Sequence, residues 1–325
     1  MKPNTLTASF LFIAIVYYGK IASVNVKPHN TYNNRPIIAV MAQSTKGESF
    51  EKFGQSYIAA SYIKFLESSG ARVVPIMNDL NEEDTEKLFY SVNGALFPGG
   101  SVNLITSGYA RIGKQIFNLA KKSYDGGDYF PIWGTCLGSQ FLSILASNDA
   151  QLLSRTDSEN YTIPLNLSSN YRKSRLFHDM PEDLAKFVST APTTLNMHHY
   201  SVLVSKYKEN EKLMDFFRIL STNNDRGGTE FISTMEGIKY PMYSVQWHPE
   251  KNSFEWTINE NIAHQEMSIK LTQYISNFFV NEARLSSHKF QIPEEETASL
   301  IYNYSPVYTG NMSNFEQCYI FKNKN

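Results

Sequence analysis

From residue 36 onward the chain alternates short apolar runs with segments whose apolar residues recur at helical spacing. The stretch "PIIAVMAQ" (36–43) is continuous and apolar, the pattern of a strand buried on both faces of a sheet. Ile58, Tyr62, Phe65 and Leu66 then fall on one helical stripe, and Gly70 stands where that helix should stop. "ARVVPIM" (71–77) predicts a second strand. "NEEDTEKLFYSV" (81–92) predicts a helix whose acidic first turn suits the helix dipole. The run "GALFPGG" (94–100), a helix around 105–123 and the apolar "YFPIWG" (129–134) continue the alternation.

Strand and helix alternating four times imply an α/β fold with a mostly parallel central sheet, right-handed crossovers and flanking helices. Ligands of such sheets bind beyond the carboxyl ends of the strands. The Gly-rich ends "FPGG" and "WGTCLG" are therefore expected to meet at that edge. Residues 148–183 are polar and predict surface loops and turns. Further strands are expected at 200–205, 215–221, 229–235 and 241–247. A long helix follows, with Met267, Leu271, Tyr274, Ile275 and Phe278 on one face. Beyond 286 the polar, aromatic tail predicts no clear element. With no repeat and no clean linker, the expectation is one domain over 24–325, with a core over about 36–285 and a C-terminal extension over 286–325.

The N-terminus differs in kind. Lys2 precedes "TASFLFIAIVYYG" and the small residues of "IAS", the layout of a secretory signal peptide over 1–23, with cleavage near Ser23. An apolar run of about a dozen residues is short of the about 20 that span a membrane. A membrane anchor or an ordinary core segment are the alternatives, and no membrane association is expected once the signal is removed. Asn160, Asn166, Asn303 and Asn311 head N-x-S/T sequons, which fit export and glycosylation.

Composition narrows the classes further. A content of 42% hydrophobic and 14% aromatic residues is ample for a sizeable core. With 30 basic against 31 acidic residues there is no basic stripe for nucleic acid. An exported chain has access to disulfides, yet this one holds only Cys136 and Cys318. The two can pair, or at least one thiol is free for a purpose.

Cys136 sits in "PIWGTCLGSQFL" (131–142), where a buried strand runs straight into a helix. A nucleophile at such a turn needs small neighbours on both sides, and Gly134 and Gly138 stand at −2 and +2. The helix beginning near Leu137 aims its N-terminus at the sulfur, and the Leu137 N–H is available to an oxyanion. A buried structural cysteine beside two turn glycines is the plainer reading.

A thiol nucleophile needs a base, and the base an orienting group. Of seven histidines, His248 lies in "YSVQWHPEK", directly after an apolar strand, with Glu250 two residues on. In "NMHHY" (196–200), His198 and His199 point to opposite faces of a strand, so at most one enters a site. With neither CxxC nor HExxH present, no metal and no cofactor are expected.

Together, "PGG" (98–100), "WGTCLGSQ" (133–140) and "QWHPEK" (246–251) resemble the class I glutamine amidotransferase-like superfamily. Within it, "FPGGSVNL" (97–104), "FISTMEGIKYPMYSVQWHPEKNSFEW" (231–256) and "QCYIF" (317–321) are most similar to the gamma-glutamyl hydrolases, which act on folate polyglutamates. The resemblance runs from about residue 36 to the end. It implies a flavodoxin-like sheet with loop insertions and the C-terminal extension. It implies Cys136 as nucleophile, His248 as proton-transfer partner, Glu250 as its orienting group, and Leu137 with Gly100 as oxyanion hole. His198, Gln140 and Ser101 are the implied substrate contacts. Folyl and antifolyl poly-γ-glutamates are the implied substrates, cut through a cysteine thioester. A homodimer and a secreted, lysosomal or vacuolar location also follow from the resemblance. The competing readings are a glutaminase that passes ammonia to a synthase and a non-catalytic binding protein on the same fold.

Overall fold

All five residues of the strand Ile37–Met41 are buried, Ile38 and Val40 in one apolar layer, Ile37, Ala39 and Met41 in the other. The structure, a computed structural model, describes residues 32–322. The signal peptide expected at 1–23 lies outside the described residues. Ile37–Met41 pairs in parallel with Arg72–Ile76 on one side and Ala95–Phe97 on the other. Ala95–Phe97 pairs with Ile132–Thr135, and that strand with Met242–Val245, again in parallel. Glu230–Gly237, Phe217–Asn224 and Asn166–Leu167 extend the sheet antiparallel to eight strands. The α/β class and the mostly parallel sheet are as the apolar pattern predicts.

Helices cover both faces. Gly108–Asp125 and Leu137–Ser147 bury Ile112, Ile116, Phe117, Phe141 and Leu142 against one side. Ala60–Glu67 and Glu266–Ala283 bury Ile63, Leu66, Leu271, Ile275 and Phe279 against the other. At about 1.5–3 kcal/mol for each large apolar side chain buried, these two layers supply the main driving force for the fold.

Four expectations are corrected. Residues 148–183 are not loop and turn throughout: Ser154–Ile163 is a ten-residue strand, antiparallel to Thr194–Ser201. Its sequence lacks an aliphatic alternation because Thr156 and Ser158 fill two of its three buried positions and only the last, Ile163, is aliphatic. The strand expected at 200–205 starts earlier and ends at Ser201, and Val204–Glu209 is helical. Ile58 belongs to the strand Ser56–Ala59, and the helix begins only at Ala60. In the tail, Gln317–Phe321 is a strand antiparallel to Ser56–Ala59, with Cys318 and Phe321 buried beneath it. That pairing is set by a distant partner, so nothing local announces it. Cys136 and Cys318 are both free thiols. No helix of the described residues is long and apolar enough to cross a membrane.

Candidate active site

Sheet register brings the chemistry together. Gly134 pairs with Ser244 and Thr135 with Val245, so the chain segments carrying Cys136 and His248 leave the sheet side by side. The Cys136 N–H donates to the Val245 carbonyl at 2.8 Å, extending that pairing by one residue. The Gln140 N–H then donates to the Cys136 carbonyl at 3.0 Å, the first bond of the helix Leu137–Ser147.

Cys136 itself has φ 51° and ψ −107°, a left-handed conformation that costs a non-glycine residue about 1–3 kcal/mol. It persists because its surroundings fix it. A Cβ on Gly138 would lie 1.9 Å from the Phe97 carbonyl oxygen, and one on Gly134 2.7 Å from the Gly138 carbonyl carbon. The turn is thus wedged between neighbouring backbones, with the side chain of Cys136 projecting from its bend. The Leu137 N–H lies in the first turn of its helix and has no intrahelical carbonyl to reach.

Opposite the cysteine, His248 Nδ1 lies 2.7 Å from Glu250 Oε1, with both side chains buried. The His248 backbone N–H donates to the Leu195 carbonyl at 3.0 Å, which anchors the loop to the strand Thr194–Ser201. Burial opposes a charge on the ring, but the Glu250 carboxylate and the Cys136 sulfur outweigh it and lift the pKa to about 10. Nε2 is buried without a hydrogen-bond partner among the described residues. It is the nitrogen left to serve the sulfur and a reacting group.

Tyr62 closes the arrangement. Its hydroxyl accepts from the Gly99 N–H at 2.9 Å and lies 3.5 Å from His248 Nδ1. Cys136, His248, Tyr62, Gly99, Gly100, Met197, Lys251, Glu260 and Phe315 line one cavity of about 440 Å³. Sequence pattern had assigned Tyr62 to a core stripe, where a working tyrosine looks the same as a packing one. Lys251 opens the short helix Lys251–Phe254 directly after the His248 segment, whereas the places of Glu260 and Phe315 depend on loop and tail geometry that carries no local signal.

The remaining expected residues sit further from the sulfur. His198 does not line the cavity; it is buried, with Nδ1 3.4 Å from Thr156 Oγ1 and Nε2 3.1 Å from Asn196 Oδ1. Burial, then the charge on His248, push its pKa down to about 3, so the ring is neutral. Gln140 is buried, and its amide donates to the Tyr200 carbonyl at 2.7 Å. Ser101 is exposed and lies outside the cavity lining. Gly100 packs on Gln43, whose amide carbon would meet a Cβ there at 2.5 Å. Among the described residues, no three His, Cys, Asp or Glu side chains gather as a metal site would require.

A Cys–His–Glu constellation at the carboxyl edge of an α/β sheet is the arrangement of a thiol-dependent acyl-transfer enzyme. Residues 36–250 match the family model described as Peptidase C26. The human protein named Gamma-glutamyl hydrolase is 49% identical over 295 residues, covering 91% of this chain and 92% of that one. Gamma-glutamyl hydrolase B of Dictyostelium discoideum is 40% identical over 312 residues, covering 96% and 89%. Gamma-glutamyl hydrolase 1 of Arabidopsis thaliana is 35% identical over 310 residues, covering 93% and 87%. The chain belongs to the Peptidase C26 family and, within it, to the gamma-glutamyl hydrolases.

Proposed function

We propose that this protein hydrolyses γ-glutamyl peptide bonds of folyl and antifolyl poly-γ-glutamates by way of a cysteine thioester. The observation that carries the mechanism is the left-handed Cys136 at the strand–helix turn, in one cavity with the buried His248–Glu250 pair. The Cys136 sulfur attacks the γ-carbonyl carbon, with the sulfur's proton residing on His248. The carbonyl oxygen becomes an oxyanion, which the N–H groups of Leu137 and Gly100 receive. The C–N bond then breaks as His248 gives its proton to the leaving amine. Water attacks the thioester, His248 takes the proton of that water, and the sulfur leaves. Glu250 keeps the ring oriented throughout and stabilises its charge whenever it holds the second proton, and Tyr62 ties the Gly99 backbone to it.

His198 is a positioning residue in this reading, because both its nitrogens bond within the protein. Gln140 likewise acts through the backbone it holds, and Ser101 is left to the outer part of a long substrate. The same proposal includes a single domain over 24–325, export by the segment 1–23 to a secreted, lysosomal or vacuolar destination, and a homodimer. Asn166 and Asn311 are the sequons best placed for glycans, since both are exposed. The Asn160 and Asn303 amides donate within the protein, to the carbonyls of Asn259 and of Thr297 and Leu300.

The test is product analysis on a folate pentaglutamate, its α-linked isomer and free glutamine at equal concentration. Shortened folates should come only from the γ-linked chain, and Cys136→Ala should lower that rate by several orders of magnitude while remaining folded. Comparable cleavage of the α-isomer, or a fully active alanine variant, would refute the proposal. Preferential ammonia release from glutamine would transfer the site to a glutaminase.

A further inference from the structure

Three residues beyond His248, Lys251 places a primary ammonium in the wall of the same cavity, with the side chains of Lys251 and Glu260 only 4% and 3% exposed. Its Nζ is 2.5 Å from Glu260 Oε2 and 5.2 Å from the centroid of the Phe315 ring. A lysine ammonium has three N–H donors. Among the described residues, Glu260 accepts the only hydrogen bond that Nζ gives. Two donors are therefore unspent at a buried position, where an unmet donor is costly.

The charges around it point the same way. The charged side chains lining the cavity are Glu48, Glu260, Lys251 and the His248 ring, and His248 is already paired with Glu250. A poly-γ-glutamate brings one free α-carboxylate per residue, spaced a few bonds from each γ-carbonyl. Such a chain would meet Glu48 and Glu260 with repulsion, so a positive group in the wall is needed to draw its carboxylates in. Lys251 supplies that cation, and Glu260 holds it in place through a buried ion pair while the cavity is empty.

We propose that Lys251 is a specificity-determining residue that binds an α-carboxylate of the γ-linked substrate, with Glu260 as its positioning partner. This rests on the γ-glutamyl hydrolase reading of the same cavity. The carboxylate has two sources, the residue whose γ-carbonyl is attacked and the glutamate that leaves. Replacing either carboxylate by a carboxamide keeps the shape and removes the charge, so it separates the two.

The experiment compares wild type, Lys251→Met and the double variant Lys251→Met with Glu260→Gln. The double variant removes the carboxylate that the single change leaves buried without a partner, so it is expected to keep the native fold where the single variant loses it, checked by thermal unfolding. Substrates are a pteroyl di-γ-glutamate and the two mono-carboxamides made at its α-carboxylates. On the parent, kcat/KM should fall about 10- to 100-fold, the range of one hydrogen bond to a charged group, mostly through KM. The fall should vanish on the one carboxamide that lacks the partner carboxylate, which identifies its source. Labelling of Cys136 by iodoacetamide should keep the wild-type rate, because the cysteine–histidine pair is untouched. Wild-type kcat/KM in the folded variants, an equal loss on all three substrates, or slowed labelling would each overturn the inference. If the wild type leaves the parent uncut, the function itself fails, an outcome distinct from a wild type that cuts and a Lys251 variant that cuts equally well.

Discussion

His248 carries a charge in a place that burial alone would keep neutral, and Glu250 is the residue that reverses the balance. The pKa stands above its ordinary 6.5 at about 10, so the pair's contribution to stability is full below about 6.5 and disappears as pH rises through about 10. The same numbers set an activity limit, since a ring that has lost its proton cannot protonate the leaving amine. Glu250→Gln keeps a hydrogen-bond acceptor but removes the charge. Its alkaline limb in kcat/KM should move to lower pH, and kcat should fall roughly 10²- to 10⁴-fold. A pH–rate profile superimposable on wild type would pass the orienting role to Tyr62. His198, neutral with a pKa near 3, is by contrast unable to supply a proton.

At the scale of the element, the strand–turn–helix around Cys136 is a piece of geometry that few sequences permit. The helix Leu137–Ser147 packs so close to the neighbouring strand Ala95–Phe97 that Gly138 approaches the Phe97 carbonyl directly. Gly138→Ala should force the two elements apart, because the obstructing atom belongs to the backbone and cannot rotate away. The expected cost is about 1–3 kcal/mol, of the size seen for overpacked cores, together with loss of turnover as the sulfur and oxyanion donors shift. Denaturant unfolding and a parallel activity assay check both parts. An alanine variant of native stability and full activity would show that the turn has slack the structure does not display.

For the whole molecule, the C-terminal extension is part of the site rather than an appendage. Gln317–Phe321 joins the strand Ser56–Ala59, and Met312, Ser313, Asn314 and Phe315 line the cavity. Glu255 fastens this wall by accepting the Glu316 N–H at 2.7 Å, and burial lifts its carboxyl pKa from 4.5 to about 7. Because the folded state resists ionising this group, stability from it is full below about 4.5 and is lost as pH rises through about 7. Glu255→Gln still accepts that hydrogen bond and carries no proton to lose. It should match wild type at pH 4 and exceed it by roughly 3 kcal/mol at pH 8, read as the difference in denaturant midpoint between the two pH values. A constant difference across pH 4–8 would show that Glu255 does not titrate in this range.

Cys136, His248 and Glu250 were legible in the chain because each is tied to a local rule. Glycine at −2 and +2 admits the strained turn, and an apolar strand ending shortly before the histidine, at Val245, delivers it to the sheet edge. A carboxylate two residues later can reach the ring. The parallel strands Ile37–Met41, Arg72–Ile76, Ala95–Phe97 and Ile132–Thr135 were legible for a similar reason, since burial on both faces writes a continuous apolar run. The ribbon Ser154–Ile163 and the tail strand Gln317–Phe321 were not, because their pairing partners supply the burial that their own sequences do not advertise. Lys251 follows His248 by three residues, but Tyr62, Glu260 and Phe315 reach the cavity from other segments, so no spacing along the chain relates them to the cysteine. The sequence determined the Gly-flanked turn at Cys136, the candidate His248–Glu250 pair and the layered α/β frame, through local backbone geometry and hydrophobic period. Only the tertiary structure decided what surrounds the sulfur, because that depends on contacts between residues far apart in the chain.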